Sequence, residues 1–285
     1  MAQHAEPLYR RPASLAEALD VLASAPHAVI AGGTDYYPQR LGKPLTEAVL
    51  DVTALPGLRG IEDLGDSWRI GALTTWTDLI EAPLPPCFDG LKAAAREVGG
   101  VQIQNVGTLV GNLCNASPAA DGTPNLLALD AVVELAQLGG RRVLPVSEFL
   151  RGNRRTLRQP QELATGLLIP KPKRPAYSDF SKLGARKYLV ISIVMTAAVL
   201  ERSEDGKVAA ARIAVGSCSA VAKRLDRLEA RLIGQRWSAD LGDLVEADDL
   251  ADLTPIDDVR AAGGYRLDAA QTLLRRALNA LGARP

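Results

Sequence analysis

Ser14 stands before an amphipathic run at residues 15–23 (LAEALDVLA), and Glu17 follows it by three residues. That spacing is a capping box and predicts a helix. Short apolar runs then predict strands: 28–33 (AVIAGG), which ends in a turn at Gly32 and Gly33, 48–53 (AVLDVT) and 68–74 (WRIGALT). Thr75 is placed to cap a helix over 76–80, and the opening of the chain reads as βαβ-like. A helix over 90–98 is expected to end at Gly99 and Gly100. Residues 101–113 mix β-branched residues with glycines and read as strand and loop, followed by a short helix at 124–129 and a strand at 131–136. The arginines of the 140s and 150s read as a basic loop. Three prolines and three cations in 170–175 (PKPKRP) mark a domain boundary or hinge. Residues 189–200 are almost continuously apolar and fit a strand or a buried helix; length alone does not separate the two. Glu204, Asp205 and Gly206 form a hairpin-type turn with a returning strand at 208–220, and the rest reads as helical: 224–233, an acidic stretch at 239–252, and 267–281.

Composition narrows the function. The 285 residues are comfortable for two domains, and 33 basic residues balance 33 acidic ones. Neither a nucleic-acid nor a membrane-surface partner is indicated, and an aromatic content of 4% argues against stacked single strands. Cys87, Cys114 and Cys218 are widely spaced with no Cys-x-x-Cys pair, so neither an iron–sulfur cluster nor a structural zinc is expected in this chain. His4 and His27 are the only histidines; both are expected in solvent, which leaves few histidine-based mechanisms. No signal peptide or membrane-length apolar run is evident, so the expected location is the cytoplasm.

The chemistry concentrates in two loops. Residues 98–130 gather Gly99, Gly100, Gly107, Gly111, Asn105, Asn112, Asn115, Ser117 and Asp121 into one stretch. Glycines there let backbone approach a phosphate or heterocycle. Upstream, Ala31-Gly-Gly-Thr-Asp35 follows a strand, where exposed N–H groups form an anion-binding concavity and Thr34 adds a hydroxyl. Neither loop fits Gly-x-G-x-x-Gly or a P-loop, so a Rossmann site and a P-loop ATPase are disfavoured. Asp121 suits a ribose hydroxyl or a helix cap. The pair of loops points to a bound nucleotide cofactor.

Together, AGGTD and QIQNVGTLVGNLCNASPAADGTPNLLALDA resemble the two flavin loops of the medium, FAD-binding subunits of molybdenum hydroxylases, such as the xanthine and carbon monoxide dehydrogenases. Phe149 to Leu163, Lys182 with Arg186, residues 256–260, and Tyr265 with Arg266 are similar to further passages of that family, in order along almost the whole chain. The resemblance implies an α+β protein: a two-lobed FAD-binding domain of PCMH type over 1–172, then a small α+β C-terminal domain over 175–285 with an antiparallel sheet and helices. It implies that Val29, Ile30, Ala31, Gly32, Gly33, Thr34, Asp35 and Tyr36 wrap the FAD pyrophosphate, with Gly107, Thr108, Val110, Gly111 and Asn112 on the other side. Ser117 and Asp121 would reach a ribose or the ribityl chain, and Lys182 the isoalloxazine. Val110 stands where the family has a second glycine, and Tyr36 replaces an aliphatic residue. Arg154, Arg155 and Arg158 read as a solvated or partner-facing loop, and Cys114 as small-residue packing. The implied role is electron transfer, with the molybdenum cofactor on a large partner subunit and [2Fe–2S] clusters on a small one, in a dimer of heterotrimers. A free-standing flavin oxidase of the vanillyl-alcohol-oxidase type and a non-catalytic assembly subunit are the rival readings.

Overall fold

The computed structural model describes residues 9–285; His4 lies outside them. The described chain opens with β1 (Tyr9–Arg10), α1 (Leu15–Ser24), β2 (Ala28–Ile30) and β3 (Val49–Asp51), and its strands form a parallel sheet in the order β1-β3-β2. Parallel neighbours need a crossover: residues 31–48 connect β2 to β3, and α1 carries the chain from β1 to β2, on the other side of β3. Ser14 Oγ accepts from Glu17 N as expected of the cap, while the Glu17 carboxylate accepts from Ala13 N, one residue before the N-cap. Ala18, Leu19 and Leu22 of α1 bury against Leu50, Val52 and Leu163. His27 is buried rather than exposed: its Nδ1 lies 2.8 Å from Ala25 O.

The strand expected at 68–74 belongs elsewhere. It is β5 (Ser67–Gly71), paired with β4 (Ile61–Asp63) in a second, antiparallel sheet. That sheet is completed by β6 (Val132–Gln137) and β7 (Gly140–Pro145), and, after a two-stranded hairpin of β8 (Leu150–Gly152) and β9 (Arg155–Thr156), by β10 (Leu163–Pro170), in the order β4-β5-β10-β6-β7. The basic segment is therefore largely strand and hairpin, not loop. Between β5 and β6 the chain forms α2 (Trp76–Glu81), α3 (Asp89–Glu97), α4 (Val101–Gln104), α5 (Leu109–Asn115) and α6 (Gly122–Ala128), and the one-turn α7 (Val146–Phe149) follows β7. Residues 101–113 are thus mainly helical. Leu109, Val110 and Leu113 are buried at helical spacing, and Thr108 Oγ caps α5 by accepting from Gly111 N at 3.0 Å. These two facts outweigh the β-branched composition.

A third sheet follows the 170–175 segment: β11 (Ala176–Leu183), β12 (Val194–Arg202), β13 (Val208–Gly216) and β14 (Lys223–Arg224), antiparallel in that order. The run at 189–200 resolves as strand only from Val194. It reads apolar without alternation because both faces of β12 are covered: Met195, Ala197 and Val199 join the core under the second sheet, while Val194, Ala198 and Leu200 pack in a second core with α8 (Asp226–Leu232) and α9 (Gly263–Gly282). The acidic stretch at 239–252 forms two 3₁₀ turns, Leu241–Leu244 and Ala247–Leu250, rather than a regular helix. No helix of the described residues is long and apolar enough to cross a membrane.

Arg266 ties α9 to this sheet. Its buried guanidinium donates to Ile193 O at 2.6 Å, Ser217 O at 3.2 Å and Asp258 Oδ1 at 2.6 Å. Arg266→Ala is expected to lower unfolding free energy by about 2 kcal/mol in denaturant titration, because the carbonyls of Ile193 and Ser217 lose this donor and Asp258 loses one of several.

Candidate functional site

The two glycine-rich loops meet. A Cβ built on Gly32 would stand 2.0 Å from Val106 O and 2.9 Å from Gly107 Cα, so the first loop lies directly against the backbone of the second. Gly33 adopts φ +65°, which turns the chain and lets Tyr37 N donate to Gly33 O at 3.1 Å. The second loop is laced to the start of α2: Trp76 N donates to Gly107 O at 3.1 Å and Leu109 N to Thr74 O at 3.3 Å. Thr75 is itself held by a complete capping box with Asp78. Strand β2 thus delivers one loop and the β5–α2 corner holds the other.

Between them opens a cavity of about 560 Å³, a size typical of small-molecule and cofactor sites. All eight residues from 29 to 36 line it, as do Gly107, Thr108, Val110, Gly111 and Asn112. Trp76, Val98, Ile103 and Leu163 make an apolar wall, and Arg40, Arg154 and Arg158 bring three cations. The N–H groups of Gly32, Gly33, Thr34 and Asp35 donate to no other described residue. Asn112 Oδ1 is buried with no partner. Free donors and cations around two loops packed backbone to backbone suit a dinucleotide's phosphates; the apolar wall suits a flat ring.

Comparison with known proteins agrees with this geometry. Residues 3–172 match the family described as FAD binding domain in molybdopterin dehydrogenase, and residues 180–281 the CO dehydrogenase flavoprotein C-terminal domain. The chain belongs to the FAD-binding medium subunits of the molybdenum hydroxylase family. The xanthine dehydrogenase FAD-binding subunit of Escherichia coli O157:H7 is 31% identical over 276 residues, covering 95% of this chain and 94% of that one. The nicotine 6-hydroxylase medium subunit of Paenarthrobacter nicotinovorans is 29% identical over 283 residues, 97% of each chain. Among solved structures, CO dehydrogenase from Oligotropha carboxidovorans superposes with a TM-score of 0.89 at 28% identity over 99% of both chains. The relatives are subunits of oxidoreductases.

In this medium subunit Ser117, Asp121 and Lys182 do not line the cavity between the loops. Asp121 precedes α6, but its side chain makes no capping bond. It accepts from Lys182 Nζ at 2.7 Å and from Ser192 Oγ at 2.6 Å, joining the 117–121 turn to the third sheet. Burial pushes the Asp121 carboxyl up, against the pull of Lys182 and Ser192. Ser117 Oγ accepts from Ala119 N at 3.3 Å. Arg186 turns onto Leu189 O. Val110 is buried in the core and also borders the cavity. Tyr36 donates to Glu47 Oε1 at 3.0 Å, with the Arg40 guanidinium 3.6 Å from its ring centroid. Cys114 also borders the cavity, and burial pushes its thiol up to about 11, which makes it an unreactive packing group at neutral pH.

Sequence alone does not single out Trp76 or the cationic lining, and it gives Asn115, named in the second loop, no role in the site. Arg154 and Arg158 read as a solvated or partner-facing loop, and both line the cavity. Arg158 Nη1 is fixed by donation to Glu162 O at 2.7 Å and Gln159 O at 3.2 Å. The available signal was the cluster Arg151, Arg154, Arg155 and Arg158 around Gly152 in a chain of zero net charge.

Proposed function

We propose that this chain holds FAD between its two glycine-rich loops and serves as the electron-transfer subunit of a heteromeric molybdenum hydroxylase. Its N-terminal part, 1–172, is the FAD-binding domain and 175–285 the C-terminal domain in this reading. Partners would be a molybdopterin-binding large subunit and a [2Fe–2S] small subunit, assembled as a dimer of heterotrimers in the cytoplasm. Bound FAD would take electrons from the partner's clusters and pass them to an external acceptor.

The single observation that carries the reading is the cradle at Gly32 and Gly107, with unpartnered N–H groups on one side and arginines on the other. The backbone donors of residues 32–35 would bind the diphosphate without a competing side chain, and Thr34 and Thr108 would add hydroxyls. Arg40 and Arg158 would balance its charge, while Trp76, Ile103 and Val110 exclude water from the apolar end. Asp121 and Lys182 enter as a buried pair behind the site; direct ligand contact by either would require that pair to open. No side chain of this subunit has to act as acid or base, since its task is to bind the cofactor, shield it and set its electrostatic surroundings.

The purified chain is expected to be yellow, with the two absorption bands of oxidised flavin, and to co-purify with molybdenum and iron when produced with its partners. A colourless protein that also fails to take up added FAD would refute the reading. Turnover of a small substrate by the isolated chain would favour a free-standing oxidase instead.

A further inference from the structure

One polar bridge borders the cavity and joins three separate segments. Asn115, the last residue of α5, donates from Nδ2 to Asp35 Oδ2 at 2.5 Å and accepts at Oδ1 from Arg154 Nη1 at 2.8 Å. All three residues line the cavity. Asp35 belongs to the glycine loop and Arg154 to the β8–β9 turn, so the amide links chain positions 80 and 39 residues away. An amide is the side chain for this place because it offers a donor to a carboxylate and an acceptor to a guanidinium at once.

The backbone at the bridge is strained. Arg154 has φ +55° and Ala116 has φ +49°, and Arg154 N donates to Ala116 O at 2.9 Å. Two non-glycine residues in the left-handed region, bonded to each other, are costly to hold, and such strain gathers where geometry serves a ligand. As exposed side-chain hydrogen bonds contribute little net free energy to folding, fold stability is a weak reason for this arrangement.

We infer that Arg154 is a positioning residue for the cofactor: through Asn115 it anchors Asp35 and so holds the Gly32–Thr34 backbone donors closed on the diphosphate. This rests on the FAD reading above. The bridge slows release of FAD; the guanidinium of Arg154 acts on the loop, not on the phosphates.

The decisive comparison uses Arg154→Gly and Asp35→Ala in the full chain, with FAD release followed by recovery of flavin fluorescence. Glycine accepts the φ of position 154, so Arg154→Gly keeps the turn and its N–H while deleting the guanidinium. Both variants are expected to release FAD about tenfold faster, the scale of one lost charge-assisted hydrogen bond. The double variant is expected to be no faster than the quicker single one, because both break one bridge. A purely structural role predicts a lower melting temperature with unchanged release and would overturn the inference. A direct charge role for Arg154 predicts slower release in Asp35→Ala, since a repelling carboxylate is gone, and would overturn it as well. Wild-type chain that takes up no FAD would sink the functional reading itself; wild-type binding with unchanged variants would sink only the bridge.

Discussion

Gly32→Ala is expected to abolish FAD uptake and to destabilise the fold by about 3 kcal/mol, the upper range for forced overpacking. The added methyl would stand 2.0 Å from Val106 O. That atom cannot simply yield, because the adjoining Gly107 O accepts from Trp76 N and Gly107 N donates to Ile103 O at 2.7 Å. Trp76 is 1% exposed and anchors the central core, so retreat of the second loop would disturb packing there. Moving the first loop instead would widen the gap that the phosphates must span. Gly139→Ala is the control. Its φ of +78° makes alanine strained there too, but nothing lies within 4 Å of the added carbon. It should lose about 1–2 kcal/mol of stability and keep full flavin content. The flavin-to-protein absorbance ratio, with circular dichroism to confirm folding, decides the matter; a yellow Gly32→Ala protein would show that the loops do not form the cradle.

Lys182→Met is expected to destabilise the protein by about 3–5 kcal/mol near neutral pH, the range for removing one partner of a buried ion pair. The side chains of Lys182 and Asp121 are 7% and 9% exposed, and the variant leaves a carboxylate in the interior with only Ser192 as donor. The pH dependence has a definite sign. Burial already raises the Asp121 carboxyl above its ordinary value of 3.8, and loss of Lys182 raises it further. Between the unfolded and folded values the native state binds more protons than the unfolded state, so stability falls as pH rises through that window. The deficit of the variant against wild type should therefore be smaller at a mildly acidic pH and larger at a mildly alkaline one. Adding Asp121→Asn should recover much of the loss by removing the stranded charge. Denaturant titrations at both pH values test this; a deficit independent of pH would mean that Asp121 is not the group left unpaired.

Local rules carried far in this chain. Ser14 and Thr75 lie at helix starts because short hydroxyl side chains satisfy free N–H groups wherever a helix begins. The glycine pair at 32–33 marked a turn, which the structure has at Gly33, and Gly32 lies close against the backbone of the second loop. Other segments were not legible. Residues 101–113 carry β-branched residues and glycines, yet α5 forms there because Leu109, Val110 and Leu113 find a core that no local rule describes. The apolar run of β12 hid its alternation because a second core covers its far face. His27 was misplaced in solvent for a similar reason: its burial depends on how the first sheet packs, not on its neighbours in sequence.

The sequence by itself determined the family, the two loops that bound the cavity and the sheet-and-helix character of both halves, because backbone freedom at glycine, capping and chain-wide resemblance are properties of residues in order. Only the tertiary structure decided which polar groups share a space. Arg154 meets Asn115 and Asp35, and Lys182 meets Asp121 61 residues away, through strand pairings and core packing. Such meetings depend on distance in space, and charge, burial and hydrogen bonding act on that distance alone.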